Sequence, residues 1–164
     1  MSEYIPFMES LSRPLLFALL LPLLTAGTIR PAIAFDRGAM IDGPVRASII
    51  KIIDGDTLLV AAKPWPQQTM EVYVRLRGID APETKSDCAS TRAAGEQAKA
   101  ALVAMLGGQS EIKLLHIAGD KYFGRVLADI ALIDGRNPAQ ELLSAGYVSE
   151  YKGGKKRTAV CSFW

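Results

Sequence analysis

The pattern of apolar and polar positions predicts five short β-strands. These segments are rich in β-branched residues or alternate between apolar and polar side chains, and they cover residues 45–53, 57–62, 70–78, 111–117 and 126–133. The turn residues Asp54-Gly55-Asp56 separate the first two segments and indicate a hairpin. In the third segment Arg75 and Arg77 alternate with apolar residues, so they are expected on the face opposite the apolar set.

Two further segments have helical spacing. Alanine, leucine and methionine recur three or four residues apart between residues 94 and 105, which predicts a helix with Ser90 or Thr91 as its N-cap and Gly107-Gly108 at its end. A shorter helix is predicted at 138–145, before Gly146. The order of three strands, a helix, two strands and a helix favours a mainly β, α+β protein: a five-stranded Greek-key barrel of the OB type with flanking helices. An α+β sheet with helices on one side also fits the periodicity.

The first 34 residues differ in character from the rest of the chain. Residues 15–24 read LLFALLLPLL, Arg13 precedes them, and the small-x-small triplet Ala32-Ile33-Ala34 follows. This pattern is typical of a secretory signal peptide, and we expect cleavage after Ala34. The apolar run is shorter than the roughly 20 residues that span a bilayer, although an uncleaved membrane anchor is an alternative. Residues 35–164 would then form a single exported domain, periplasmic or secreted.

Charge and cysteine content restrict the class of protein further. The 164 residues carry 19 Lys and Arg against 17 Asp and Glu, and this net charge of +2 excludes a strongly polybasic protein but not a local basic site. The two cysteines are Cys88 and Cys161, and in an oxidising compartment a disulfide between them is expected, with two free thiols as the alternative. Since His116 is the single histidine, a zinc site built from His and Cys is not expected.

Three polar segments carry the groups that phosphodiester hydrolysis needs. They are D-G-D-T at 54–57, Arg75 followed by D-A-P-E at 80–83, and D-K-Y-F-G-R at 120–125. Each segment alone is typical of a turn or a loop. Together they offer carboxylates that can hold a hard cation, guanidinium groups that can bind phosphate oxygens, and a carboxylate that can accept a proton from water. By residue type, these groups are Asp56, Asp80, Arg75, Arg125 and Glu83.

These motifs resemble those of the staphylococcal nuclease (thermonuclease) family. I-D-G-D-T at 53–57, R-L-R-G-I-D-A-P-E at 75–83 and D-K-Y-F-G-R at 120–125 occur in the family's order, and the resemblance extends over residues 45–151. It implies an OB-type barrel and a Ca²⁺-dependent hydrolase that cuts DNA and RNA and leaves 3′-phosphate ends.

The resemblance also implies roles for six residues. The side chains of Asp56 and Asp80 and the backbone carbonyl of Ala81 would bind Ca²⁺. Glu83 would be the general base, and Arg75 and Arg125 would bind the phosphate. The family's tyrosine at the third motif matches Tyr122 or Phe123, because this chain has one extra residue there.

Substrate contacts outside these motifs are expected from aromatic and basic residues. Tyr122, Tyr147 and Tyr151 are candidates for stacking on bases, although packing in the core or tail would equally explain the last two. The basic tail residues Lys152, Lys155, Lys156 and Arg157 could attract the nucleic-acid backbone or simply be solvated.

The expected partners are DNA and RNA substrates, with no obligate protein partner, a monomeric state, and membrane contact only through the signal segment. A non-catalytic OB module that binds nucleic acid or protein is the alternative function. A phosphodiesterase acting on small nucleotides is a third possibility.

Overall fold

The computed structural model describes residues 39–154 and residue 161. They belong to the second of two units into which the chain divides, residues 35–164. The expected signal segment and the tail residues Lys155, Lys156 and Arg157 lie outside the described residues.

The described chain forms eight strands and two helices. The strands are β1 (Met40–Ile41), β2 (Val45–Ile52), β3 (Thr57–Lys63), β4 (Met70–Leu76), β5 (Ile79–Asp80), β6 (Glu111–Gly119), β7 (Arg125–Ala131) and β8 (Ser149–Glu150). The helices are α1 (Ala89–Leu106) and α2 (Pro138–Ser144). None of the helices in this part of the chain is long and apolar enough to cross a membrane.

Five of the strands close into a barrel. The sheet order is β6-β2-β3-β4-β7, and β6 also pairs with β7, which completes the circle; the short β1 adds to β6. The β4–β7 pair is parallel and the other pairs in this sheet are antiparallel. The OB-type five-stranded barrel with flanking helices is therefore confirmed.

The core follows the alternation along the strands. One face of each barrel strand turns inward, and α1 and α2 add apolar residues to the same cluster. The largest fully buried side chains from strands and helices include Leu58, Leu76, Leu102, Ile112, Leu114, Ile130 and Leu142. Because Val74 and Leu76 are buried on β4, Arg75 lies between them on the outer face, as its spacing predicted.

The start of α1 differs from the prediction. The N-cap is Cys88, not Ser90 or Thr91, and it makes no side-chain capping bond. The Arg92 N–H already donates to the Cys88 carbonyl at 2.9 Å, so the chain is helical two residues earlier than the polar residues suggested. The helix ends at Gly107, as predicted.

The three two-residue strands were not predicted, because two residues are too few to show a periodicity. One of them, β5, contains Asp80, which the sequence had placed in a loop. It forms a second, two-stranded sheet with β8, in which Ile79 is the partner of Glu150 and Asp80 the partner of Ser149.

Candidate active site

The pairing of β3 with β4 brings the first two motifs together. Thr57, which begins β3, is the Cα partner of Arg75 near the end of β4. The Leu76 N–H donates to the Asp56 carbonyl at 2.8 Å, which holds the D-G-D-T turn beside the end of β4. Within the turn, the Asp56 N–H donates to Asp54 Oδ1 at 3.0 Å.

The Arg75 guanidinium lies between two carboxylates. Its Nη1 donates to Asp56 Oδ1 and its Nη2 donates to Asp80 Oδ1, both at 2.8 Å. Nη2 also donates to the Ile79 carbonyl at 3.3 Å, which makes three bonds from the guanidinium. With only 15% of the Arg75 side chain exposed, these bonds hold the guanidinium in a defined orientation at the barrel surface.

Asp56 is the most deeply buried charged group of this site. Its Oδ1 also accepts from the Thr57 hydroxyl at 2.9 Å, and its Oδ2 accepts from the Ala81 N–H at 2.9 Å. Burial raises the pKa of Asp56 to about 6, and Arg75 and the Ala81 N–H oppose that rise. Burial is the larger effect, so the ionised carboxylate would gain from further positive charge nearby.

Arg125 lies on the same outer face of the barrel as Arg75. It begins β7 and is the Cα partner of Tyr73, while Arg75 is the partner of Leu127. Its Nε donates to Asp120 Oδ2, and its guanidinium carbon lies 4.7 Å from the centre of the Tyr122 ring. The third motif thus supplies a second guanidinium one strand away from the first.

The structure distinguishes the two rings of the third motif. Tyr122 contacts Arg125 and also has the Lys121 ammonium 4.9 Å from its ring centre, whereas Phe123 is fully exposed. Tyr122 is therefore the ring beside the guanidinium.

The other two tyrosine candidates lie near β8. The centre of the Tyr151 ring is 5.8 Å from the Arg75 guanidinium carbon, and the Tyr151 N–H donates to the Gly78 carbonyl at 2.9 Å. Tyr147 lies in the turn after α2, exposed, with β8 between it and Tyr151 in the chain. The pairing of β5 with β8 thus brings Tyr151 beside the Arg75 guanidinium.

Glu83 lies on the loop that follows β5. Its side chain is exposed, and its carbonyl accepts from the Ser86 N–H at 3.3 Å, which forms a turn. Ala81 is therefore buried and Glu83 is exposed on this loop, which directly follows Asp80, the residue that binds Arg75.

Helix α1 packs closely against both the D-G-D-T turn and the D-A-P-E loop. Gly95 of the helix and Gly55 of the turn make these close approaches possible. A Cβ on Gly95 would lie 2.7 Å from the Pro82 carbonyl oxygen and 2.9 Å from the Thr84 nitrogen. A Cβ on Gly55 would lie 2.7 Å from the Ala98 Cβ and 2.9 Å from the Ala81 Cβ. The motifs gave no indication that these glycines position the site, although a single glycine inside a helical pattern is a signal that applies to Gly95.

A disulfide joins Cys88 to Cys161, with a Cα–Cα distance of 5.8 Å. Cys88 is the N-cap of α1, so the bridge ties the beginning of that helix to the C-terminal tail across 73 positions.

The donor set suits a hard divalent cation. Asp56 and Asp80 each direct an oxygen toward the same guanidinium, so the two carboxylates already converge on one positive group. Within residues 39–154 and 161, no three or more His, Cys, Asp or Glu side chains gather in a way that could hold a metal. The carboxylate oxygens of Asp56 and Asp80 are the type of donor that calcium prefers, whereas zinc sites are built mainly from His and Cys.

Comparison with known proteins decides the family. The family model described as "Staphylococcal nuclease homologue" matches residues 73–160, more than half of the chain. The chain belongs to this family. The staphylococcal nuclease match includes Arg75, the D-A-P-E loop and Arg125, while Asp56 precedes it and reaches the site through the β3–β4 pairing. No curated protein matches the chain.

Membership confirms the resemblance read from the three motifs, and it gives the function at a coarse level. A staphylococcal nuclease homologue domain is nuclease-like or binds nucleic acid through its barrel.

Proposed function

We propose that the protein is a Ca²⁺-dependent nuclease that hydrolyses phosphodiester bonds of DNA and RNA with little sequence preference. The observation that carries this proposal is the Arg75 guanidinium held at 2.8 Å between the Asp56 and Asp80 carboxylates, with Arg125 on the same outer face. A module that only bound nucleic acid would not need two carboxylates beside its phosphate-binding arginine, since their charge repels the backbone.

The residues divide the work as follows. Arg75 and Arg125 bind the oxygens of the scissile phosphate and stabilise the negative charge that develops in the transition state. The side chains of Asp56 and Asp80 and the carbonyl of Ala81 would hold Ca²⁺. When bound, Ca²⁺ supplies positive charge that polarises the phosphate. Tyr151 and Tyr122 pack beside the two guanidinium groups and restrict their orientations.

Glu83 accepts the proton of the attacking water. A carboxylate at the surface of the loop that follows β5 can accept a proton from water in this way. As the resemblance implies, the 5′ oxygen leaves and the product carries a 3′-phosphate.

The role of Glu83 is tested by Glu83→Gln, which keeps the shape of the side chain and removes its basicity. We expect kcat at saturating Ca²⁺ to fall by about 10²- to 10⁴-fold, with a smaller change in KM. An unchanged kcat would show that another group accepts the proton.

We also propose that the protein is exported to the periplasm or secreted, as a monomer without an obligate protein partner. The support is the apolar run at 15–24 followed by Ala32-Ile33-Ala34. N-terminal sequencing of the exported protein should begin at Phe35, whereas Met1 or Ser2 would contradict cleavage.

A substrate panel separates nuclease, binding module and small-nucleotide phosphodiesterase. The purified protein is incubated with plasmid, single-stranded DNA, RNA and a dinucleotide, in Ca²⁺ or in EGTA, and products are resolved on gels. The nuclease predicts fragments of all three polymers in Ca²⁺ alone. Retarded but intact polymers would identify a binding module, and cleavage of the dinucleotide alone would identify the phosphodiesterase.

A further inference from the structure

The outer face of β4 and β7 presents a patch with an aromatic residue that the functional motifs do not include. Tyr73 and Arg75 are two residues apart on β4, and their Cα partners on the parallel strand β7 are Arg125 and Leu127. Side chains two residues apart on a strand share a face, as do partners in register. One patch therefore has four residues at its corners, and its two arginines lie diagonally opposite each other. The four are Tyr73, Arg75, Arg125 and Leu127.

The position of Tyr73 relative to both arginines follows from strand geometry. Neighbouring strands are about 4.8 Å apart, and residues two apart along a strand are separated by roughly 6.6 Å. Tyr73 thus lies one strand spacing from Arg125 and one two-residue step from Arg75. A phosphate held between the two guanidinium groups would have the Tyr73 ring at its side.

Tyr73 is unusually exposed for an aromatic residue in the middle of a barrel strand. Its side chain is 45% exposed, although the flanking Val74 is fully buried and the Tyr73 N–H donates to the Gly124 carbonyl at 3.2 Å. The backbone is fixed by the barrel, so the ring is presented on a rigid strand. Tyr122, itself 55% exposed, packs against the guanidinium of Arg125.

We propose that Tyr73 is a base-stacking residue that binds the nucleoside next to the scissile phosphate. This inference rests on the proposed nuclease function and adds a residue that sets how tightly the substrate binds. A nucleobase can stack on an exposed tyrosine ring whatever its identity, so such a contact strengthens binding without selecting a sequence.

The proposal is tested by measuring kcat and KM for Tyr73→Ala, Tyr73→Phe and Trp65→Ala on two substrates. One is a short single-stranded thymidine oligonucleotide, and the other is an abasic oligonucleotide of the same length. Trp65 is the matched control, because it is also an exposed aromatic residue (59%) but lies in the turn at the far end of the β3–β4 hairpin.

For the thymidine oligonucleotide we expect Tyr73→Ala to raise KM by about 5- to 100-fold, the effect of losing one stacked base. Tyr73→Phe should keep KM within about twofold, and Trp65→Ala should not change it. For the abasic oligonucleotide, which has no base to stack, Tyr73→Ala should bind as the wild type does.

Two results would overturn the inference while the nuclease function stands: an unchanged KM for Tyr73→Ala on the thymidine oligonucleotide, or an equal rise on both substrates. The second result would mean that Tyr73 acts by supporting the arginines. A wild-type protein that cleaves neither oligonucleotide would instead contradict the proposed function itself.

Discussion

At the scale of single residues, Asp56 combines a buried position with a charge. Only 3% of its side chain is exposed, yet it accepts hydrogen bonds from Arg75, Thr57 and Ala81. Its pKa is raised to about 6, because burial outweighs these partners. The fold thus keeps this carboxylate in a place where its ionised form is costly.

This predicts a pH dependence for the stability of the metal-free protein. The folded-state pKa of about 6 lies above the ordinary value of 3.8, so between these pH values the folded protein binds more protons than the unfolded chain. The free energy of unfolding in EGTA should therefore fall as the pH rises from 4 to 6.5, by up to about 3 kcal/mol from this residue.

The contribution of Asp56 is isolated by comparison with Asp56→Asn, which has no carboxyl proton to lose. Urea unfolding at a series of pH values should show the wild type losing stability relative to the variant as the pH rises. Parallel curves for the two proteins would contradict the raised pKa.

The residues of the site differ in how far the sequence could predict them. Asp56, Arg75 and Asp80 stand in recognisable motifs, and strand pairing brings them together. The contact of Tyr151 with Arg75 depends on the two-residue pairing of β5 with β8, which leaves no pattern in the sequence. Likewise, the choice between Tyr122 and Phe123 depends on the path of one loop, which residue type alone does not determine.

At the scale of elements, α1 is the part that holds the two acidic segments in place. Gly95 and Ala98 are three residues apart and therefore lie on the same side of the helix. Gly95 is next to the D-A-P-E loop, and Ala98 is next to Gly55 of the D-G-D-T turn. One helix face thus sets the spacing between the two segments that supply the carboxylates.

Gly95→Ala tests this role. In an exposed helix the change would stabilise by about 1 kcal/mol, but here the added Cβ would meet the Pro82 carbonyl and the Thr84 nitrogen at under 3 Å. We expect the loop to shift and kcat to fall about tenfold or more in steady-state assays, because small misplacements of catalytic groups are costly.

The control is Ala93→Gly, at an exposed position of the same helix. It should lower the melting temperature by a few degrees and leave kcat unchanged, which separates loss of stability from displacement of the loop. If Gly95→Ala cleaved nucleic acid at the wild-type rate, α1 would not be the element that positions the loop.

Element boundaries show where sequence patterns suffice. The five barrel strands and both helices were predicted from periodicity, since each buries one face over seven or more residues. The predicted N-cap of α1 was wrong. Ser90 and Thr91 are residue types that often cap helices, but the bond from the Arg92 N–H to the Cys88 carbonyl starts the helix earlier. Local preference for a cap is weaker than the tertiary contacts around Cys88.

At the scale of the whole molecule, a disulfide links Cys88, the N-cap of α1, to Cys161. The bridge closes a loop of 73 positions and anchors the end of α1 from which the helix runs to Gly95. The bridge therefore restrains the N-terminal end of the helix that contacts the D-A-P-E loop through Gly95.

We expect the double variant Cys88→Ala/Cys161→Ala to be less stable by about 4 kcal/mol on the chain-entropy model. For a domain of this size, that corresponds to a melting temperature roughly 10–15 °C lower, which calorimetry would detect. The wild type in reducing agent should fall by a similar amount, and an unchanged melting temperature in both cases would contradict a stabilising bridge.

We propose that Arg75, held between Asp56 and Asp80, is part of a Ca²⁺-dependent hydrolytic site. The most direct test of this proposal is the cleavage rate of a fluorescent single-stranded oligonucleotide by the wild type and by Arg75→Ala, each in Ca²⁺ and in EGTA. We predict rapid cleavage by the wild type in Ca²⁺, no cleavage in EGTA, and a rate at least about 10²-fold lower for Arg75→Ala in Ca²⁺. Equal wild-type rates in Ca²⁺ and EGTA would contradict the dependence on Ca²⁺. A wild-type rate for Arg75→Ala would contradict the role of Arg75 in hydrolysis.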